Sequence, residues 1–154
     1  MAAKLLAKGY TPGTVALLPD FPSLCEVAAH WGENVAITWL EILLTNIEET
    51  LGNSASFLPE AKEDTARLLY SYYRDMNIAE FLLFLGYYKL NKYRNLYTGG
   101  LDRVTCAFAI YREQRDAEVT HLEIEQERQR AEEERNEWKK RAIPYEEYLK
   151  TKNL

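Results

Sequence analysis

Residues 81–102 read FLLFLGYYKLNKYRNLYTGGLD, and two properties of that stretch decide the fold. Phe81, Leu82, Phe84, Leu85 and Tyr88 leave almost no polar face, which predicts a helix, running to about Leu90, that sits among other helices. Cations and aromatics then alternate in a loop over 91–101, and Gly99-Gly100 hands over to a further helix capped by Asp102.

Upstream, Asn77 and Glu80 form a capping pair that starts this central helix. Before it, Pro59 suits the first turn of a helix, with Glu60, Glu63 and Asp64 favouring its dipole. Ala61, Thr65, Leu68, Leu69, Tyr72, Tyr73 and Met76 continue its stripe. A helix over about Val35 to Leu51 is predicted from Trp39, Leu40, Leu43, Leu44, Ile47 and Leu51, with Asn34 as its cap and Gly52-Asn53-Ser54 as its stop. The first helix opens on the capping box Ser23-Leu24-Cys25-Glu26, buries Leu24, Val27, Ala28 and Trp31, and stops at Gly32. Residues 1–21, broken by Gly9, Pro12, Gly13, Pro19 and Pro22 just beyond, read as an irregular arm pinned by Val15 to Leu18.

Downstream of Asp102, the stripe Val104, Ala107, Phe108, Tyr111 and the stem of Arg115 continues the core. Past Leu122 the stripe stops while the helix signal persists in EQERQRAEEERNEWKKR, residues 125–141. Opposite charges recur there at three or four: Glu125–Arg128, Glu127–Arg130, Arg128–Glu132, Arg130–Glu134, Glu132–Arg135 and Glu137–Arg141. Each pair adds about 0.2–0.5 kcal/mol, enough together to support a solvated helix. From Arg103 to Arg141 it would reach roughly 58 Å, far beyond a globule of about 15 Å radius of gyration. It must therefore project or meet another chain. Val119, Leu122, Ala131 and Trp138 are too sparse for a coiled coil. Pro144 ends the helix, and Tyr145 to Lys150 add a short turn. The expected organisation is an all-α chain: an N-terminal arm (1–21), a compact bundle of about five helices (22–118), and a charged helical extension and tail (119–154).

The bulk numbers set bounds on function. A chain of 154 residues with 47% apolar and 28% charged content is one globular domain with a real core. A net charge of −5 argues against a general nucleic-acid binder. The charge is uneven. Residues 1–64 carry three Lys against nine acids, net −6; residues 65–111 carry six Lys and Arg against three acids, net +3; residues 112–154 carry ten against twelve, net −2. Two distant cysteines, Cys25 and Cys106, read as small core residues in a reducing compartment. No signal peptide or bilayer-spanning run is visible, so a cytoplasmic location without membrane attachment is expected.

Catalytic chemistry finds little footing. His30 reads as a helix C-terminal cap and His121 as a surface residue, 91 positions away and outside any metal-ligand spacing. No phosphate-cradle motif is present, and the glutamate pairs are solvated faces. The expectation is a non-enzyme without cofactor or metal. The candidate binding residues are Lys89, Lys92, Tyr93, Arg94 and Tyr97, with Arg103 beside them and Arg67 and Arg74 as extensions. Three readings stand. The tyrosines plug the end of the bundle among snorkelling lysines; the loop binds a protein; or its cations meet phosphates while its tyrosines stack on bases.

Two segments carry a resemblance. Pro22-Ser23-Leu24, Trp31-Gly32, Ala36 and Trp39-Leu40, followed by Phe84, Tyr88-Lys89, Tyr93, Leu96-Tyr97 and Asp102, resemble the pattern of an uncharacterised family of small helical proteins from prophages and conjugative elements of gut bacteria. The resemblance covers roughly residues 22–118. Three loop glycines of that pattern fall on Asn91, Arg94 and Thr98 here, which makes the loop more cationic and puts a shared ligand in question. The layout also resembles, at the level of fold only, phage helicase loaders and replication adaptors. The resemblance implies a mobile-element adaptor with a protein partner in DNA replication or transfer. A direct nucleic-acid binder, or a structural homo-oligomer joined through the long helix, are the alternatives.

Overall fold

Helix starts are where this chain commits its polar groups. A computed structural model describes residues 1–51, 57–96, 99–142 and 144–152. Its helices are α1 (Ala2–Ala7), α2 (Pro12–Ala16), α3 (Leu24–Trp31), α4 (Glu33–Leu51), α5 (Pro59–Tyr73), α6 (Ile78–Lys89), α7 (Gly100–Arg141) and α8 (Tyr145–Lys152). The fold is all-α; a lone antiparallel bridge joins Ser23 to Asn77 among the described residues. The chain divides into two units, Met1–Val119 and Thr120–Leu154.

In the first unit, α6 is central. It packs against α1, α2 and α4, and its Phe81 and Phe84 meet Phe108 of α7 with ring centroids 5.5 and 3.7 Å apart. Trp39 of α4 meets Phe81 edge-on at 5.8 Å, and Tyr73 of α5 stacks on Phe108 at 5.6 Å. Fully burying a side chain, as at Phe81, Phe84 and Phe108, contributes about 1.5–3 kcal/mol each.

That bridge joins two capping boxes. Glu26 N–H donates to Ser23 Oγ and Glu80 N–H to Asn77 Oδ1, while each glutamate carboxylate accepts from its own cap's N–H at 2.7 and 2.8 Å. The next orphan donors are met across the bridge: Leu24 N–H reaches the Met76 carbonyl, Cys25 N–H that of Arg74, and Ile78 N–H that of Pro22, at 3.1, 2.8 and 3.0 Å. Asn77 Nδ2 also donates to the carbonyl of Val15, tying α2 to the start of α6.

Glu80 is only 1% exposed. Its second oxygen accepts from Arg115 Nε at 2.9 Å; Arg115 then donates to Asp116, Asp116 accepts from Arg112, and Arg112 reaches Asp75 at 2.8 Å. Burial raises the Glu80 carboxyl above its ordinary value, with Arg115 pulling against the rise. For Asp75 and Asp116 burial also pushes upward, but the arginines outweigh it and both carboxyls are lowered.

Several expectations are corrected. Residues 1–21 are not an irregular arm: they hold α1 and α2, and Thr11 and Thr14 form a capping box with Pro12 at the first helical position, so Pro12 starts a helix and does not break one. Gly13 sits in α2 where an added Cβ would fall onto Glu118 Cβ, and its N–H donates to Glu118 Oε2 at 2.7 Å. Asn34 does not cap α4, which begins at Glu33 directly after Gly32 turns the chain with φ +97°. Likewise α7 begins at Gly100, with φ +58°, so Asp102 lies in its first turn. Trp31 is 63% exposed and Cys25 is exposed, because α3 is short and buries only Leu24 fully. Leu68 and Tyr72 face outward, the inner face of α5 running through Ala66 and Leu69. The expected stop at Gly52-Asn53-Ser54 lies outside the described residues.

In the second unit, residues 123–141 of α7 and those of α8 are exposed. Of the charge pairs expected there, Glu137–Arg141 closes at 3.5 Å, and His121 adds a 3.8 Å contact to Glu125. No helix among the described residues is long and apolar enough to cross a membrane.

Two measurements check this framework. Arg115→Ala leaves Glu80 buried without its cation and should cost about 3–5 kcal/mol in urea unfolding near neutral pH. A carboxyl with a raised folded pKa favours the protonated form, so its contribution is fully present below the unfolded value and lost as pH rises through the folded one. Hence the penalty of Arg115→Ala should shrink on acidification, and a penalty constant with pH would contradict the assignment. Asp75 and Asp116 act oppositely in the native chain: their stabilisation is present above the unfolded value and is lost as pH falls through their lowered folded values. Gly13→Ala should destabilise by about 1–3 kcal/mol, seen as a lower urea midpoint at unchanged slope.

Candidate binding surface at the α6–α7 turn

The end of α6 carries Lys89 in its last turn, and Leu90 is the C-cap, its N–H reaching the Gly86 carbonyl. The chain reverses at Asn91, whose φ of +57° makes it the one non-glycine residue with positive φ among the described residues. Asparagine tolerates this left-handed conformation better than other side chains. The turn is closed by Lys92 N–H to the Tyr87 carbonyl, Arg94 N–H to that of Asn91 and Leu96 N–H to that of Tyr93.

The candidate residues do not share one face. Tyr93 points inward, 7% exposed, stacked at 5.6 Å on Phe84 and 6.3 Å from the ring of Tyr88. Arg103 reaches back from α7 to donate to the Tyr93 carbonyl at 3.0 Å, so it clamps the loop. Lys92 lies over the Tyr87 ring at 3.8 Å and donates to Gln114 Oε1 at 3.4 Å. Lys89 and Arg94 are exposed, with Leu90 between them in sequence at 68% exposure. Tyr97 lies outside the described residues. Of the proposed extensions, Arg67 is bound to Glu63 on its own helix at 2.8 Å and Arg74 is exposed.

A cleft of about 150 Å³ opens beside the turn. Tyr88, Lys89, Asn91, Tyr93 and Arg103 line it, and Thr50 and Leu51 at the end of α4 form the rest of its wall. Tyr88 was legible only as a core position of α6; the signal missed is that a buried tyrosine, unlike a phenylalanine, brings a hydroxyl that needs a partner. Burial raises the hydroxyls of Tyr88 and Tyr93 above the usual phenol range, the Arg103 charge drawing Tyr88 part of the way back. Both are neutral at physiological pH.

The other chemically capable side chains are dispersed. Cys106 is half-buried on α7, His30 lies against Trp31 with ring centroids 5.2 Å apart, and His121 is exposed beside Glu125. Among the described residues no group of three or more His, Cys, Asp or Glu is arranged to hold a metal. Comparison with known proteins adds nothing to the geometry: no family model, no curated protein and no solved structure matches the chain.

The turn makes its own prediction. Asn91→Gly should alter stability by no more than a few tenths of a kcal/mol, whereas Asn91→Ala should cost about 1–2 kcal/mol through the left-handed backbone alone. Thermal melts of the two variants compare them directly; an equal shift in both would reject the backbone explanation.

Proposed function

We propose that the chain is a non-enzymatic adaptor of a mobile element that binds a protein partner through the outer face of the α6–α7 turn, in DNA replication or transfer. The observation that carries this reading is the exposure of Lys89, Leu90 and Arg94 on a turn whose Tyr93 is buried and whose backbone is clamped by Arg103. A surface fixed in advance loses little freedom on binding, and exposed cations around an apolar side chain suit an acidic-rimmed partner. The basic middle of an otherwise acidic chain supports the same location. The mobile-element setting rests on the resemblance of residues 22–118 to the prophage and conjugative-element family.

Direct nucleic-acid binding is the weaker reading on this geometry. Base stacking needs an accessible ring, and the Tyr93 ring is packed on Phe84. The three cations available to phosphates are also divided, since Lys92 is engaged with Tyr87 and Gln114.

Affinity purification from the native host, comparing the native chain with Lys89→Glu/Arg94→Glu, tests the adaptor reading. The double variant should keep the native melting temperature and lose one specific co-purifying protein; an unchanged set of partners would sink it. Titration with single- and double-stranded DNA at low salt runs in parallel. Binding there that falls steeply with salt, and that the double variant weakens, would establish the nucleic-acid reading instead.

A further inference from the structure

Base stacking needs open rings, and the second unit has them. Trp138, near the end of α7, is 75% exposed, and Tyr145 and Tyr148 on α8 are 73% and 50% exposed. No residue of α8 is buried, so packing does not account for its two rings. Lone exposed aromatics are ordinary on a protein surface. Here three fall within residues 138–148. Tyr145 and Tyr148 are three positions apart on one helix, so they share a face with about 5–6 Å between their Cβ atoms.

The charge around these rings differs in sign from the helix that leads to them. Residues 138–154 carry five Lys and Arg against two acids, net +3, whereas residues 112–137 carry five against ten, net −5. Lys139, Lys140 and Arg141 lie in the last turn of α7, and Lys150 and Lys152 in that of α8. All five are exposed, and the Lys152 ammonium stands 6.0 Å from the ring centre of Tyr148. The two acids, Glu146 and Glu147, sit in the first turn of α8, where they favour its dipole. Arg141 reaches Glu137 at 3.5 Å, an exposed pair of little strength. Glu132 to Glu134 lie roughly 9–12 Å up the helix from Lys140, beyond a Debye length of about 8 Å. The acidic run therefore leaves the basic end largely uncompensated.

We propose that residues 138–152 bind single-stranded nucleic acid, with Trp138, Tyr145 and Tyr148 stacking on bases and Lys139, Lys140, Lys150 and Lys152 meeting phosphates. Every base has a face to stack, so open rings beside cations suit a strand of any sequence, whereas a duplex hides those faces. A lipid surface fits less well. It calls for one continuous apolar helix face, but these rings are divided between two helices with Pro144 between them, and Leu149 is the one aliphatic residue of α8. The site does not rest on a protein docking at Lys89 and Arg94.

Fluorescence anisotropy of a labelled oligothymidylate titrated with the full chain tests it, with a duplex of equal length and phosphatidylserine-containing vesicles as further arms. The expected result is saturable binding at low salt, tighter than to the duplex. Its logarithm should fall against that of salt with a slope of about −3, at roughly 0.7 per phosphate for four lysines. Trp138→Ala, and Tyr145→Ala with Tyr148→Ala, should each weaken binding about tenfold, and Lys139→Glu with Lys140→Glu about tenfold or more. These side chains are exposed, so the melting temperature should stay native in all three. No binding to the oligothymidylate at low salt, or binding that survives removal of the rings, overturns the proposal. Equal affinity for the duplex rejects stacking, and tighter binding to the vesicles assigns the segment to a lipid surface instead. Loss of binding in Lys89→Glu/Arg94→Glu, with retention in the three variants above, would move the site to the α6–α7 turn.

Discussion

The carboxylate of Glu80 is the joint on which the first unit depends. One oxygen closes the capping box at the start of α6, and the other is held by Arg115 from α7, with the side chain almost wholly removed from water. A buried charge of this kind is tolerated only when its hydrogen-bonding capacity is filled. Filling it imposes geometry on three elements. The start of α6 must lie beside the middle of α7; Asn77, capped by Glu80, is then placed to hold α2; and the bridge from Asn77 to Ser23 sets where α3 begins. The aromatic stack of Phe81, Phe84 and Phe108 is fully buried, but hydrophobic burial is non-directional. The polar joint selects one register for that stack among those the rings alone would allow.

Local rules made much of this legible in the chain. The capping boxes at Ser23 and Asn77 are written within four residues each, and the apolar run from Phe81 to Tyr88 marks α6 as central. Other features depend on partners distant in sequence. Glu80 looks like an ordinary capping residue until Arg115, 35 positions on, is brought to it. The outward turn of Trp31 and Cys25 reflects how little of the eight-residue α3 the core covers. The two N-terminal helices escaped notice because Pro12 and Gly13 read as breakers; one is a helix start, and the other is the small residue that lets α2 approach Glu118.

The candidate surface shows the same division. That the segment from Lys89 to Arg94 forms a cationic turn is apparent from composition. Which of its side chains face out is not, because loop residues follow no period. Tyr93 goes inward since Phe84 offers a ring to stack on, and its backbone carbonyl is then positioned for Arg103. The turn is thereby built from inside outward: aromatic packing fixes the backbone, Asn91 supplies the reversal, and the exposed cations are displayed on the result.

The contact between Gly13 and Glu118 joins residues 105 positions apart. Synthesis on the ribosome is vectorial, so α1 and α2 emerge before the other elements of the first unit, and the contact of Gly13 with Glu118 closes only when nearly all of that unit has been made. Until α6 follows, the apolar faces around Leu5 and Val15, buried in the finished structure, lack the helix they pack on. A segment made early in the unit is thus among the last to be fully fastened, and its bond to Glu118 serves as the unit's latch.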